Sequence, residues 1–248
     1  YWQKKENQIM KLLLENWREY LTEATEEPNL VAFSEYFNNK IVSFLLNPRT
    51  ANELQAAREG EEFSVILDKG ELFANYETLN DVYLAVTVND KGEANIKAYY
   101  LCVPEDRSQS NLVIEANIPR QYAEIEEFEE WLDIDLEDAL SHELQHSCDT
   151  SEMLGADIPE GEAKWESLEN IYKHFASEAE TRGHLAGARG RVRAMERRGY
   201  EPDINEIVTD KITTVFEEAL ERGFTEEELG PVMQAIWQEW TNYLKGWN

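Results

Sequence analysis

The chain has 248 residues, 42% of them hydrophobic, with seven tryptophans and a net charge of −28. That length accommodates one domain or two closely packed lobes around a proper core. The acidic excess argues against general affinity for DNA, RNA or anionic membranes, because phosphate contacts need Lys and Arg; two cysteines make no disulfide framework and fit a reducing compartment; no run of about eighteen apolar residues is available to cross a bilayer.

In chain order, Trp2, Ile9, Leu12, Leu13, Trp17, Tyr20 and Leu21 fall near helical spacing and predict an amphipathic helix over 2–27, broken at Pro28. No basic stretch followed by an apolar run opens the chain, so no signal peptide is expected, and the start at Tyr1 rather than Met leaves room for a leader or prosegment. Further helices are expected over 31–46, before Pro48, and over 50–58, ending at Gly60. The pattern then changes. Phe63–Leu67, Glu71–Tyr76, Val82–Val88, Asn95–Val103 and Leu112–Ile118 are β-rich runs, with hairpin-like turn signals at Asp68–Gly70 and Asn89–Gly92. They predict an antiparallel or mixed sheet of four to five strands over 61–120. After residue 135 the periodicity is helical, over 136–148, 162–175, 177–198, 204–222 and 225–246, with Gly199 and Gly223 as C-terminal caps. The expected class is α+β, with a helical segment over 1–60 and a second unit over 61–248. Within that unit the sheet precedes the 136–148 helix, and a helical lobe follows over 160–248.

The 136–148 helix carries the chemistry. Asp135 can cap it, and Leu136, Leu140 and Leu144 form an apolar stripe. Beside the stripe stands His142-Glu143-Leu144-Gln145-His146, the spacing H-E-x-x-H. Residues i and i+4 share a helix face, so both imidazoles can reach one Zn²⁺. Glu143 lies about 100° round the helix, beside such an ion, where a general base for water is needed. The plain alternative is a surface helix with two solvated histidines. A catalytic zinc needs a third protein ligand. No histidine follows at the H-x-x-G-x-x-H spacing, but Glu178 and Glu180 lie roughly thirty residues on. They are two apart, about 200° round a helix, so only one can serve.

At these residues the chain resembles the gluzincin branch of the zincin metallopeptidases. In that family a glutamate on a second helix completes the site, in several members followed three positions later by a small residue. Glu180 has Gly183 there and Glu178 has Thr181, so the resemblance favours Glu180 as metal ligand beside His142 and His146, with Glu143 catalytic. The stretch Ser-Glu-Ala-Glu-Thr-Arg over 177–182 also resembles small zinc peptidases encoded by tailed phages. This likeness covers residues 135–185. It implies a zincin-like fold for 61–248 and a zinc-dependent peptidase acting on peptides or proteins. It further implies virion proteins as partners and a cytoplasmic or virion-associated setting. The sheet would then precede the active helix, and its last strand, Leu112–Ile118, is the natural edge against which an extended substrate could add.

Other residues have two readings each. Cys148, two after His146, reads as a small core residue facing away from the metal. His174 and His184 could orient a ligand or stabilise an oxyanion, or be ordinary core or solvated histidines. Tyr172 and Tyr200 read as packing tyrosines before oxyanion donors. Arg182, Arg189, Arg191, Arg193, Arg197 and Arg198 crowd one helix. They either pair with acidic neighbours or form a basic wall near the cleft. Two functional alternatives stand beside the peptidase: a non-catalytic zinc-binding structural or virion-associated protein with a peptidase-like fold, and an acidic nucleic-acid mimic.

Overall fold

The computed structural model describes residues 28–70, 79–92, 94–103, 105–147, 149 and 158–245. The helix expected over 2–27, the strand expected over 71–76 and Cys148 lie outside these residues. The class is α+β, with seven helices and one four-stranded mixed sheet among the described residues. No described helix is long and apolar enough to cross a membrane.

Two helices come first, α1 (Pro28–Leu45) and α2 (Pro48–Ala56). Phe33, Phe37, Ile41 and Leu45 repeat every four residues along α1 and are fully buried. α2 starts where Asn47 accepts the Arg49 N–H at 2.9 Å, with Pro48 in its first turn. The strands are β1 (Glu62–Leu67), β2 (Asp81–Asn89), β3 (Asn95–Leu101) and β4 (Asn111–Pro119), in the sheet order β1-β2-β4-β3. β1 runs antiparallel to β2, β2 parallel to β4, and β4 antiparallel to β3.

This order corrects two expectations. Asn89–Gly92 does not close a tight hairpin, because β4 inserts between β2 and β3. The last strand is therefore interior, and among the described residues β1 and β3 are the two edges. The burial explains why. Leu112, Ile114, Ala116 and Ile118 of β4 are all buried against α1 and the histidine helix, matching Val82, Leu84, Val86 and Val88 of the neighbouring β2. β3 offers only half-buried Ile96, Ala98 and Tyr100 and exposes Lys97, Tyr99 and Leu101, a composition suited to an edge.

The histidine helix, α3, spans Phe128–His146, eight residues longer at its start than the expected 136–148 and two shorter at its end. Phe128 and Leu132 extend the stripe of Leu136, Leu140 and Leu144 upstream, and Glu129 and Glu130 suit the positive end of the helix dipole. Asp135 is thus mid-helix and caps nothing; it pairs with Arg191 at 2.8 Å.

Four helices complete the chain: α4 (Leu168–Phe175), α5 (Glu178–Arg197), α6 (Ile204–Glu221) and α7 (Glu226–Lys245). The helix expected over 162–175 is divided, a 3-10 turn at Gly161–Trp165 preceding α4. Ser177 caps α5 by accepting the Glu180 N–H at 3.2 Å. Gly199 and Gly223 take φ of 85° and 98°, the left-handed conformation that ends α5 and α6. These helices bury a second apolar cluster around Ile171, Leu185, Val208, Leu229 and Trp240.

α3 and α5 join the two clusters. Gly183, Gly187 and Gly190 face α3 so closely that a Cβ on Gly190 would stand 2.5 Å from the Glu137 carbonyl oxygen. The backbones meet because side chains are missing there. Arginines line the same seam. Arg191 reaches Asp135, Arg193 reaches Glu137 at 3.3 Å, Arg197 reaches Asp133 and Glu137, and Arg198 reaches Asp133 at 2.7 Å. Of the two readings of this crowd, pairing with an acidic neighbour describes these four. Glu137 is fully buried and also accepts from Ser34 and, at 2.9 Å, from Asn38 of α1. A carboxylate this deep needs such partners, because each one removed leaves buried charge less compensated.

Candidate metal centre

His142 and His146 project from the last turn and a half of α3, and Glu180 from the first turn of α5. The seam of small residues brings the two ends together. A Cβ on Gly183 would lie 2.9 Å from His142 Nε2, so only glycine lets that ring rest on α5.

His142 Nε2 is 3.6 Å from Glu180 Oε2, and His146 Nε2 is 3.8 Å from Glu180 Oε1. Ligand atoms on one tetrahedral zinc, each at about 2.1 Å, stand roughly 3.4 Å apart. Each histidine thus faces a different oxygen of Glu180, at a separation near that value, and the donor group whose ligand atoms all lie within 4.8 Å of one another among the described residues is His142, Glu143 and His146. Glu178 is exposed on the other side of α5, whereas Glu180 keeps 17% of its side-chain surface. Glu143 is also close, its ligand atom lying within 4.8 Å of those of His142 and His146. Its other oxygen, Oε2, accepts the Tyr100 N–H of the edge strand at 2.8 Å.

The two remaining histidines of the chain join the same place. His174 Nε2 lies 3.7 Å and His184 Nε2 3.9 Å from Glu180 Oε2, so all four histidines surround one carboxylate. His184 stacks on Trp240 with centroids 4.8 Å apart and meets His142 edge-on at 4.6 Å. Among the described residues its ring nitrogens are buried with no hydrogen-bond partner.

Asp149 stands outside the residues expected at the site. It is fully buried, its Oδ2 lies 2.8 Å from His146 Nδ1, and its Oδ1 lies 3.0 Å from Arg182. Arg107 donates to the backbone carbonyls of Ser147 and Asp149, holding the turn after α3. A carboxylate on Nδ1 directs Nε2 of a ligating histidine outward and raises its basicity. Arg182 thus serves Asp149. Tyr172 and Tyr200 donate to Glu239 and Glu130 on the surface.

The electrostatics are strongly coupled. Burial lowers the His146 pKa, but the Asp149 hydrogen bond and the charges of Glu143 and Glu180 outweigh it and raise the value to about 9. Burial brings His174 down to about 4, against the pull of Glu180. Burial, aided by His142 and Lys211, holds His184 well below its ordinary value. Burial would raise Glu180, yet the His142 hydrogen bond and the histidine charges keep it well below the usual carboxylate range. Burial pushes Glu143 upward, and the Tyr100 N–H and nearby histidines only partly oppose this.

A cavity of about 460 Å³ adjoins the cluster, lined in part by Ile96 of β3, Ala139 of α3, Phe175, His184 and Lys211. A second, of about 280 Å³, lies on the outer face of the sheet among Glu62, Thr87, Lys97 and Glu115 and includes none of the histidines. No family model, curated protein or solved structure matches the chain.

Proposed function

We propose that this protein is a zinc-dependent metallopeptidase of zincin-like fold, with His142, His146 and Glu180 as ligands. The observation that carries the reading is the convergence of both Nε2 atoms on the two oxygens of Glu180, at 3.6 and 3.8 Å, with Glu143 beside them. The donor set suits zinc: two imidazoles and one carboxylate, one imidazole backed by Asp149. Zinc bound there supplies a Lewis acid that polarises a carbonyl and lowers the pKa of a water.

The chain's own residues do the rest. Burial pushes the Glu143 carboxyl upward, which favours proton uptake, and its carboxylate takes the proton of the attacking water and returns it to the leaving amine. His174 or His184, neutral because buried, can donate an N–H to the oxygen that becomes negative. A peptide lies extended along the free edge of β3, next to the cavity at Ile96 and His184, held by main-chain hydrogen bonds. The substrate class is peptide or unfolded protein, and a virion setting follows from the phage resemblance alone.

The crowd of histidines also supports a second reading, a closed non-catalytic zinc site. His174 and His184 approach Glu180 Oε2 almost as closely as His142 does, so either could serve as a fourth protein donor. X-ray absorption on the zinc protein separates the two. The peptidase has three protein ligands and hydrolyses peptides in a chelator-sensitive way; the structural protein has four and hydrolyses nothing. Absence of stoichiometric zinc would contradict both.

A further inference from the structure

The edge strand does more than offer a docking edge. Tyr100 donates its backbone N–H to Glu143 Oε2 at 2.8 Å, across the gap between β3 and α3. In an antiparallel pair, alternate residues point their N–H and C=O to one side. Since Tyr100 turns its N–H away from β4, Ile96 and Ala98 turn theirs the same way, along the free edge. Their side chains, with that of Tyr100, pack inward, while Lys97, Tyr99 and Leu101 are exposed. Among the described residues no further strand covers this edge.

We propose that the Tyr100 backbone N–H is the positioning group for Glu143, fixing one carboxylate oxygen on the edge strand and leaving the other, Oε1, to face His142 and the metal. The proposal rests on the metallopeptidase reading and deepens it. Oε1 is the oxygen that lies 3.8 Å from His142 Nε2, so the division of labour between the two oxygens is already present. A free glutamate has several rotamers; one N–H donor selects the one in which a lone pair points at the site. The contact also sets the substrate register. With the Tyr100 N–H occupied, main-chain pairing along β3 falls to Ala98 and Ile96, the residues that run toward the cavity.

The test uses amide hydrogen exchange in the full-length protein and kinetics with a peptide substrate. An outward N–H on an edge strand exchanges readily unless something accepts it. In wild type the Tyr100 amide should exchange about tenfold or more slowly than in Glu143→Ala. Glu143→Gln, whose amide oxygen still accepts, should keep the protection, and β4 amides should be unchanged in both variants. Replacing the 99–100 amide by an ester removes the Tyr100 N–H and also weakens the Tyr99 carbonyl as an acceptor toward β4, so exchange of the β4 amides is the control for the ladder; kcat should fall about tenfold or more while KM, zinc content and β4 protection hold. Equal Tyr100 exchange in wild type and Glu143→Ala overturns the contact. Full kcat in the ester protein overturns the positioning role. Protection without any peptide hydrolysis by wild type overturns the role together with the peptidase reading, and the exchange data distinguish that result from a missing contact.

Discussion

Asp149 shows how much of the site depends on single residues. Its carboxylate holds His146 at 2.8 Å and is the leading reason the imidazole pKa climbs to about 9 against burial. Under the proposed zinc reading the metal would have to displace that proton, so below pH 9 His146 alone should cost up to about tenfold in zinc affinity per unit of acid. Chelator competition between pH 6.5 and 9 measures the slope, and a flat profile would contradict the coupling. Asp149→Asn lowers the pKa of His146 and should flatten that profile. At pH 9, where proton competition has faded, the variant should bind zinc roughly 10–100-fold more weakly than wild type. The third ligand is a second residue-scale question. Glu180→Gln should lose zinc affinity by orders of magnitude and Glu178→Gln little, since Glu178 is exposed. The sequence offers these two by their place roughly thirty residues after the histidines, and their opposed helical phases mean that only one can serve. The preference for Glu180 comes from the family resemblance, through Gly183 three residues later. Gly183, Gly187 and Gly190 mark the face of α5 that meets α3, and Glu180, three residues before Gly183, lies on that face. Asp149 was not legible, because an Asp in the turn after a helix looks like any loop residue until the turn is folded.

At the scale of elements, the contact of α3 with α5 sets the geometry. Gly190→Ala should destabilise the protein by about 1–3 kcal/mol, because the new Cβ meets backbone at 2.5 Å and the helices must part. Gly183→Ala meets the His142 ring at 2.9 Å instead and should weaken zinc binding more than it lowers the melting point. A melting curve and a zinc titration on each variant give the comparison; unchanged values for both would mean the seam is not tight. The helices α5, α6 and α7 were readable to within two residues, since their periodicity and caps are local. The start of α3 was not, because Glu126–Glu130 looks like a solvated linker until Phe128 and Leu132 are seen to bury. Strand order was not legible either. Pairing of β2 with β4 is a long-range choice, made by two equally apolar inner faces rather than by any turn sequence.

At the scale of the molecule, the candidate ligands join two hydrophobic clusters, His142 and His146 arriving on the sheet-side helix and Glu180 on the helical side. Zinc bound only by the folded chain should therefore stabilise the whole, by about 4 kcal/mol at a thousandfold excess over its dissociation constant. The melting temperature should climb with zinc in wild type and stay level in Glu180→Gln; the same rise in both would place the metal elsewhere. The central claim is hydrolysis at this centre with Glu143 as base, and it is tested most directly by comparing wild type with Glu143→Gln at equal zinc occupancy on an unfolded protein or peptide library. Wild type should cleave in a chelator-sensitive way and the variant at a rate roughly 10²–10⁴-fold lower, with zinc retained. Equal rates in the two proteins, or no cleavage by zinc-loaded wild type, would contradict it.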